Sequence, residues 1–162
     1  MVLPFSQDAF FAVFGQYNTT IWPLIALFYL LGGTSVAMLF RPSRAAALFI
    51  SLTLAAMWLV NGLSYHWTFF RVINPAAALF AALFVVQAAL LVILALLNTE
   101  LRFSARRDAR SAVGVMLVLF AAILYPLWGW VAGHVWPRMP AFGVAPCPTT
   151  IFTIGMLLMG SW

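Results

Sequence analysis

The chain has 162 residues, of which 65% are apolar or aromatic and only 7% are charged. Soluble domains carry about 25% charged residues, so a soluble globule, a disordered chain and a disulfide-stapled secreted module are excluded. The net charge of +5 comes from eight basic residues, all of them arginine, against three acidic ones. There is no continuous basic stripe and no soluble domain to carry one, so no nucleic-acid partner is expected.

The N-terminal segment predicts a short amphipathic helix over residues 6–17 that lies in the membrane interface. Ser6 is a suitable N-cap, and Asp8 in the first turn complements the helix dipole. Phe10 and Phe14 fall on one face, as an interfacial helix requires. The segment lacks the basic region and the small-residue cleavage site of a signal peptide.

The apolar stretches that follow predict an all-α polytopic transmembrane bundle, with residues 1–162 forming a single integral membrane domain. A helix crosses the bilayer core with about 20 apolar residues. Four stretches reach that length. A fifth is short because the sequence stops there, so whether the chain is a short form that lacks C-terminal helices is left open. The expected spans cover about residues 21–40, 45–66, 75–98, 112–133 and 150–162.

Two local features refine the last two spans. Pro126 removes a backbone hydrogen bond to Ala122 and is expected to kink the fourth span. Thr149 or Thr150 is expected to cap the fifth helix.

The distribution of arginine predicts the orientation. Six arginines lie in the loops between spans one and two and between spans three and four, whereas only Arg71 and Arg138 lie on the opposite side. The positive-inside rule therefore places the arginine-rich loops in the cytoplasm and the N-terminus outside a bacterial cytoplasmic membrane. An aromatic belt is expected near the span ends, at Tyr17, Trp22, Trp67, Trp136 and Trp162.

Small and polar residues within the spans predict helix packing. Gly33 with Ala37, and Gly129 with Gly133, are spaced four apart, which lets two helices approach closely. Gln87 lies near the middle of the third span, where an amide usually bonds a neighbouring helix, with a ligand or ion contact as the alternative. These residues indicate packing within the chain, in an oligomer or against a partner membrane protein, in addition to the lipid bilayer.

The polar residues gather on the predicted outer side. The two histidines, His66 and His134, both lie at outer span ends, where histidine can bind haem iron, copper, zinc or the magnesium of a chlorophyll-type pigment. The alternative is an interfacial histidine that is hydrogen-bonded to a carbonyl or a headgroup, and the sequence requires no cofactor. The outer polar cluster consists of Asn61, Tyr65, His66, Arg71, Asn74, Thr149 and Thr150.

Cys147 is the only cysteine, so an intrachain disulfide is impossible. It is interpreted as a structural cysteine or, alternatively, as a metal ligand that binds copper together with His134. Phosphate-binding, zinc-protease and serine-hydrolase motifs are absent from the sequence. With only three acidic residues, a paired-carboxylate site is not expected, and neither is enzymatic activity.

Several motifs resemble those of a bacterial family of small multi-pass membrane proteins of unknown function. The resemblance extends over nearly the whole chain, and the C-terminal motif is its most specific part. It implies a helical bacterial membrane protein and supplies no activity, substrate or cofactor. The matching stretches are Pro4-Phe5-Ser6, Phe10-Phe11-x-Val13-Phe14-x-x-Tyr17-Asn18, Asn61-Gly62-x-x-Tyr65-His66-Trp67, Ile73-Asn74-Pro75-Ala76-Ala77 and Phe142-Gly143-Val144-x-Pro146-Cys147-Pro148-Thr149-Thr150-Ile151-Phe152-Thr153.

Three functions are compatible with these observations. The first is a non-catalytic membrane subunit that packs against a larger assembly, such as an energy-transducing respiratory or photosynthetic complex. The second is a cofactor-binding membrane protein that uses His66 and His134. The third is a small transporter or channel for an uncharged solute, which a cavity lined by Asn61, Gln87 and Tyr125 would favour.

Overall fold

Helices make up nearly all of the regular structure in the part of the chain that the computed structural model describes, residues 4–161. Four helices are long and apolar enough, by length and composition, to cross a membrane, which confirms the predicted all-α bundle. A shorter apolar helix follows them, and Trp162 lies outside the described residues. The helices are α1 (Gln7–Met38), α2 (Arg44–Val72), α3 (Ala77–Leu97), α4 (Ala109–Val131) and α5 (Pro146–Leu158).

The predicted interfacial helix and the first span form one helix, α1, with a kink at Ile21 (φ −113°, ψ 16°). Pro23 explains the kink, because a proline lacks the N–H that would continue the hydrogen-bond ladder and crowds the preceding turn. The predicted cap is confirmed, since the Ala9 N–H donates to Ser6 Oγ at 3.2 Å. The N-terminal part of α1 is therefore an extension of the first span.

Helices α2 and α4 each contain a wider, π-helical stretch, at Asn61–Phe69 and Phe120–Leu124 respectively. In α4 this stretch lies directly before Pro126, and the Tyr29 hydroxyl from α1 donates to the Ala122 carbonyl at 3.3 Å. The carbonyl that the proline leaves without its usual partner is thus bonded by a neighbouring helix.

Helices approach one another closely at three glycines. A Cβ built at Gly114 of α4 would lie 2.7 Å from the Gly155 carbonyl oxygen of α5, and one at Gly155 would lie 2.7 Å from the Gly114 carbonyl oxygen. At Gly62 of α2, a Cβ would lie 3.0 Å from the Ala81 carbonyl oxygen of α3. Backbone therefore packs against backbone at both contacts, as small residues allow in membrane helices.

One end of the bundle, which we call the arginine end, consists of residues 39–44 and 98–110. There the Arg44 guanidinium donates to the Asn98 carbonyl at 2.8 Å and also to the Ala95 carbonyl, so a cation caps the C-terminus of α3. Strand β1 (Arg102–Phe103) pairs antiparallel with β2 (Gly160–Ser161) and ties the α3–α4 loop to the end of α5. The opposite end, residues 66–76 and 132–140, is called the histidine end.

Candidate functional site

The α4–α5 connection, residues 132–145, runs from the histidine end into the bundle. Its last five residues, 141–145, are buried although their backbone is not helical. Phe142 packs against Tyr29, with ring centroids 4.9 Å apart, and its ring touches Gly32 of α1. Unpaired backbone groups are costly in an apolar interior, so this segment needs hydrogen-bond partners from its neighbours.

Three side chains from α1 and α2 supply those partners. The Tyr17 hydroxyl donates to the Val144 carbonyl at 2.9 Å. The Asn18 amide donates to the carbonyls of Pro137 and Met139, both at 2.7 Å. The Asn61 amide donates to the Gly143 carbonyl at 3.2 Å and lies 3.1 Å from Thr149 Oγ1. The connection is therefore held by helices that come more than 80 residues earlier in the chain.

Gly143 permits the tight approach of the connection to α1. Its φ of +77° lies in the left-handed region, and a Cβ there would be 2.6 Å from Phe28 Cβ. The turn lets α5 begin at Pro146, with Ala145 as its N-cap and no side-chain cap. The expected cap at Thr149 or Thr150 is therefore wrong: Thr149 lies inside the helix and is buried against Asn61.

Two adjoining cavities form a cleft at the histidine end, between α1, α4 and the start of α5. The inner cavity, about 490 Å³, has mostly apolar walls that include Phe10, Phe14, Phe120, Trp128, Gly129 and Cys147. The outer cavity, about 560 Å³, is lined by polar and charged residues that include Ser6, Gln7, Asp8 and Arg138. Phe11 and His134 belong to the walls of both cavities, and their rings stack with centroids 3.9 Å apart.

The structure brings His134 and Cys147 to one cavity and leaves His66 elsewhere. His66 is 5% exposed and lies between α2 and α3, with ring centroids 4.8 Å from Phe84 and 5.7 Å from Phe80. Neither ring nitrogen has a hydrogen-bond partner among residues 4–161. Within the same residues, no group of three or more His, Cys, Asp or Glu side chains comes together as a metal site.

The outer polar cluster divides into two groups. Asn61, Tyr65 and Thr149 are buried and belong to the packing around the α4–α5 connection. Arg71 lies at the surface, 3.9 Å from the Trp67 ring centroid, and the Asn74 side chain accepts a hydrogen bond from the Ala76 N–H. Thr150 is half-buried in the first turns of α5.

The small residues singled out for packing have varied surroundings. Gly33 and Ala37 are exposed on α1, and no atom lies within 4 Å of a Cβ built at Gly33. Gly129 lines the inner cavity, whereas Gly133 lies beyond the end of α4 with a φ of +82°. Gln87 is half-buried in α3.

Sequence reasoning missed the roles of two residues in particular. Tyr17 was expected in an aromatic belt, but it is fully buried, with its hydroxyl bonded to the connection. Asn18 belongs to a family motif without an assigned role, and the available sequence signal was an amide next to a tyrosine. Tyr125 lines the inner cavity, whereas Asn61 and Gln87 line neither cavity of the cleft.

These features define the class: an all-α bundle whose four long apolar helices suit a membrane, with a buried polar connection and a lateral cleft. The chain belongs to DUF6064, a family of unknown function, whose profile matches residues 7–162. No curated protein and no solved structure matches the chain.

Proposed function

We propose that this chain is a non-catalytic integral protein of the bacterial cytoplasmic membrane that packs as a subunit against a larger membrane assembly. The observation that carries the proposal is the open surface at Gly33 and Ala37. These two residues lie one helical turn apart on α1, both are exposed, and no atom of residues 4–161 lies within 4 Å of a Cβ built at Gly33. A second helix could approach the α1 backbone closely there.

The buried polar side chains support the same proposal. Tyr17, Asn18 and Asn61 donate their hydrogen bonds to the chain's own backbone, so they are engaged in holding the fold. Polar groups buried in this way are typical of packing and favour no reaction.

Co-purification from native membranes tests the partner. The protein is extracted in a mild detergent, and we expect a defined membrane protein to elute with it in a fixed ratio. Gly33→Leu and Ala37→Leu should abolish that co-elution because they fill the open surface. Ala82→Leu and Ala89→Leu, at exposed positions on α3, are the matched controls. A wild-type protein that elutes alone, or control variants that lose the partner equally, would contradict the proposal.

The proposed orientation places the arginine end in the cytoplasm. Six arginines at that end against two elsewhere support it through the positive-inside rule. A reporter inserted between Arg106 and Arg107 should be active only if it is a cytoplasmic reporter. Activity of an extracytoplasmic reporter at the same position would reverse the orientation.

A second candidate function is the binding of a cofactor such as haem, copper or a chlorophyll-type pigment. His134 and Cys147 favour it because they share one cavity wall, and His66 favours it because both of its nitrogens are unpartnered in the described chain. Visible spectra and metal analysis of the purified protein, compared with the His66→Ala and His134→Ala double variant, test it. An identical spectrum and metal content in both proteins would rule it out.

A further inference from the structure

The cleft at the histidine end combines an apolar interior with a charged mouth. The inner cavity lies within the size range of ligand pockets, roughly 300–1,000 Å³. Its walls are aromatic rings and small side chains, and they include Trp128 of α4, which is 75% exposed. Such an interior suits a flexible hydrocarbon chain that enters sideways from the bilayer.

The mouth holds two opposite charges that pair with each other. Arg138 Nη1 lies 3.2 Å from Asp8 Oδ1, and the two side chains remain 54% and 82% exposed. The aliphatic stem of Arg138 packs on α1, since its Cγ would be 3.2 Å from a Cβ built at Gly15. Both charges thus line the outer cavity, next to the inner one, and both remain exposed to a further group.

We propose that the cleft binds a zwitterionic phospholipid, with one acyl chain in the inner cavity, its phosphate beside Arg138 and its ammonium group beside Asp8. Charge complementarity selects this occupant. A headgroup with both signs matches both side chains, whereas an anionic headgroup with no ammonium group would meet the Asp8 carboxylate without a partner for it. The proposal concerns a surface separate from Gly33 and Ala37, so it goes beyond the partner contact proposed above.

Native mass spectrometry of the full chain tests this assignment. The protein is exchanged into a non-ionic detergent with equal amounts of phosphatidylethanolamine and phosphatidylglycerol that carry identical acyl chains. We expect the wild type to retain one phosphatidylethanolamine, with a preference of about threefold, the size that one exposed charge contact gives. Asp8→Asn should remove that preference and still retain lipid. Arg138→Gln should weaken the retention of both lipids and keep the preference, because both carry the phosphate and only phosphatidylethanolamine carries the ammonium group.

Gly129→Phe tests the acyl-chain site. A Cβ at Gly129 meets only the His134 carbonyl oxygen at 3.8 Å, so the new ring can enter the cavity without a backbone clash. We expect at least a tenfold loss of retained lipid, because each excluded methylene costs about fourfold in binding. Ala132 lines the same cavity just beyond the end of α4, so Ala132→Phe is the second cavity-filling variant if Gly129→Phe does not fold. Gly33→Phe on the open side of α1 is the matched control and should retain lipid fully.

Each outcome decides the proposal. Equal retention of the two lipids by the wild type would overturn the headgroup assignment, as would a tightly retained uncharged species such as a prenyl quinone. Full lipid retention by the cavity-filling variants, or equal loss in Gly33→Phe, would overturn the acyl-chain site. Failure of the partner proposal is distinguishable, because co-elution depends on Gly33 and lipid retention depends on Gly129.

Discussion

Gly143→Ala is expected to be the most destabilising small substitution in the chain. The new alanine would have to adopt a left-handed φ, which costs about 1–2 kcal/mol for a residue with a Cβ. It would also lie 2.6 Å from Phe28 Cβ, and such overpacking costs about 1–3 kcal/mol. The free energy of unfolding should therefore fall by about 2–5 kcal/mol, a large part of a typical total.

Two other glycines separate these contributions. Gly133 has a φ of the same sign, and no atom of the described residues lies within 4 Å of its Cβ position, so Gly133→Ala should cost only the conformational part, about 1–2 kcal/mol. Gly33 is helical and open, so Gly33→Ala should stabilise by about 0.5–1 kcal/mol. Unfolding in detergent micelles, titrated with a denaturing detergent, measures all three. If Gly143→Ala destabilises no more than Gly133→Ala, the contact with Phe28 does not constrain the connection.

Three further predictions concern hydrogen bonds and helix contacts. Tyr17→Phe removes the donor to the Val144 carbonyl and should lower the free energy of unfolding by about 1–3 kcal/mol, measured in the same titration. An unchanged free energy of unfolding would mean that this carbonyl finds another donor. Gly155→Ala places a methyl against the Gly114 carbonyl oxygen and should separate α4 from α5. The separation should be detected as faster amide hydrogen exchange in both helices, and unchanged exchange would contradict the close contact. At Asp108 the hydrogen bonds at the start of α4 hold the carboxyl pKa below its usual value. The stability that this cap gives to the helix start is therefore fully present above the usual carboxyl pKa and is lost as the pH falls through the lowered pKa. Amide exchange in the first turn of α4 should therefore accelerate in acid, and Asp108→Asn should remove that pH dependence while keeping a cap; equal pH dependence in both proteins would contradict the assignment.

The helices could be predicted because their signals are local. Apolar stretches of about 20 residues identify the four long helices, and Ser6 identifies the start of α1. The continuity of α1 was missed because the polar residues Thr19 and Thr20 near its middle suggested a boundary. Pro23 bends the helix there without ending it.

The site depends on contacts that no local pattern contains. Tyr17 is buried because its hydroxyl meets a carbonyl 127 residues later in the chain, so its position near a span end suggested only an aromatic belt. The spacing of Gly129 and Gly133 predicted helix packing, but Gly133 has a positive φ and lies past the helix end. The close contact of α4 with α5 joins one glycine from each helix, and a pair formed between helices has no spacing signature within either helix.

The hydrogen bonds to the α4–α5 connection also impose an order on biosynthesis. Tyr17, Asn18 and Asn61 are synthesised first, and their acceptors at Pro137, Met139, Gly143 and Val144 emerge from the ribosome much later. Until then, the Tyr17 hydroxyl and the Asn18 amide lack these acceptors, whereas the Asn61 amide can bond the Met57 carbonyl of its own helix. Synthesis of the last quarter of the chain therefore completes the packing of the first helices as well as that of the last one.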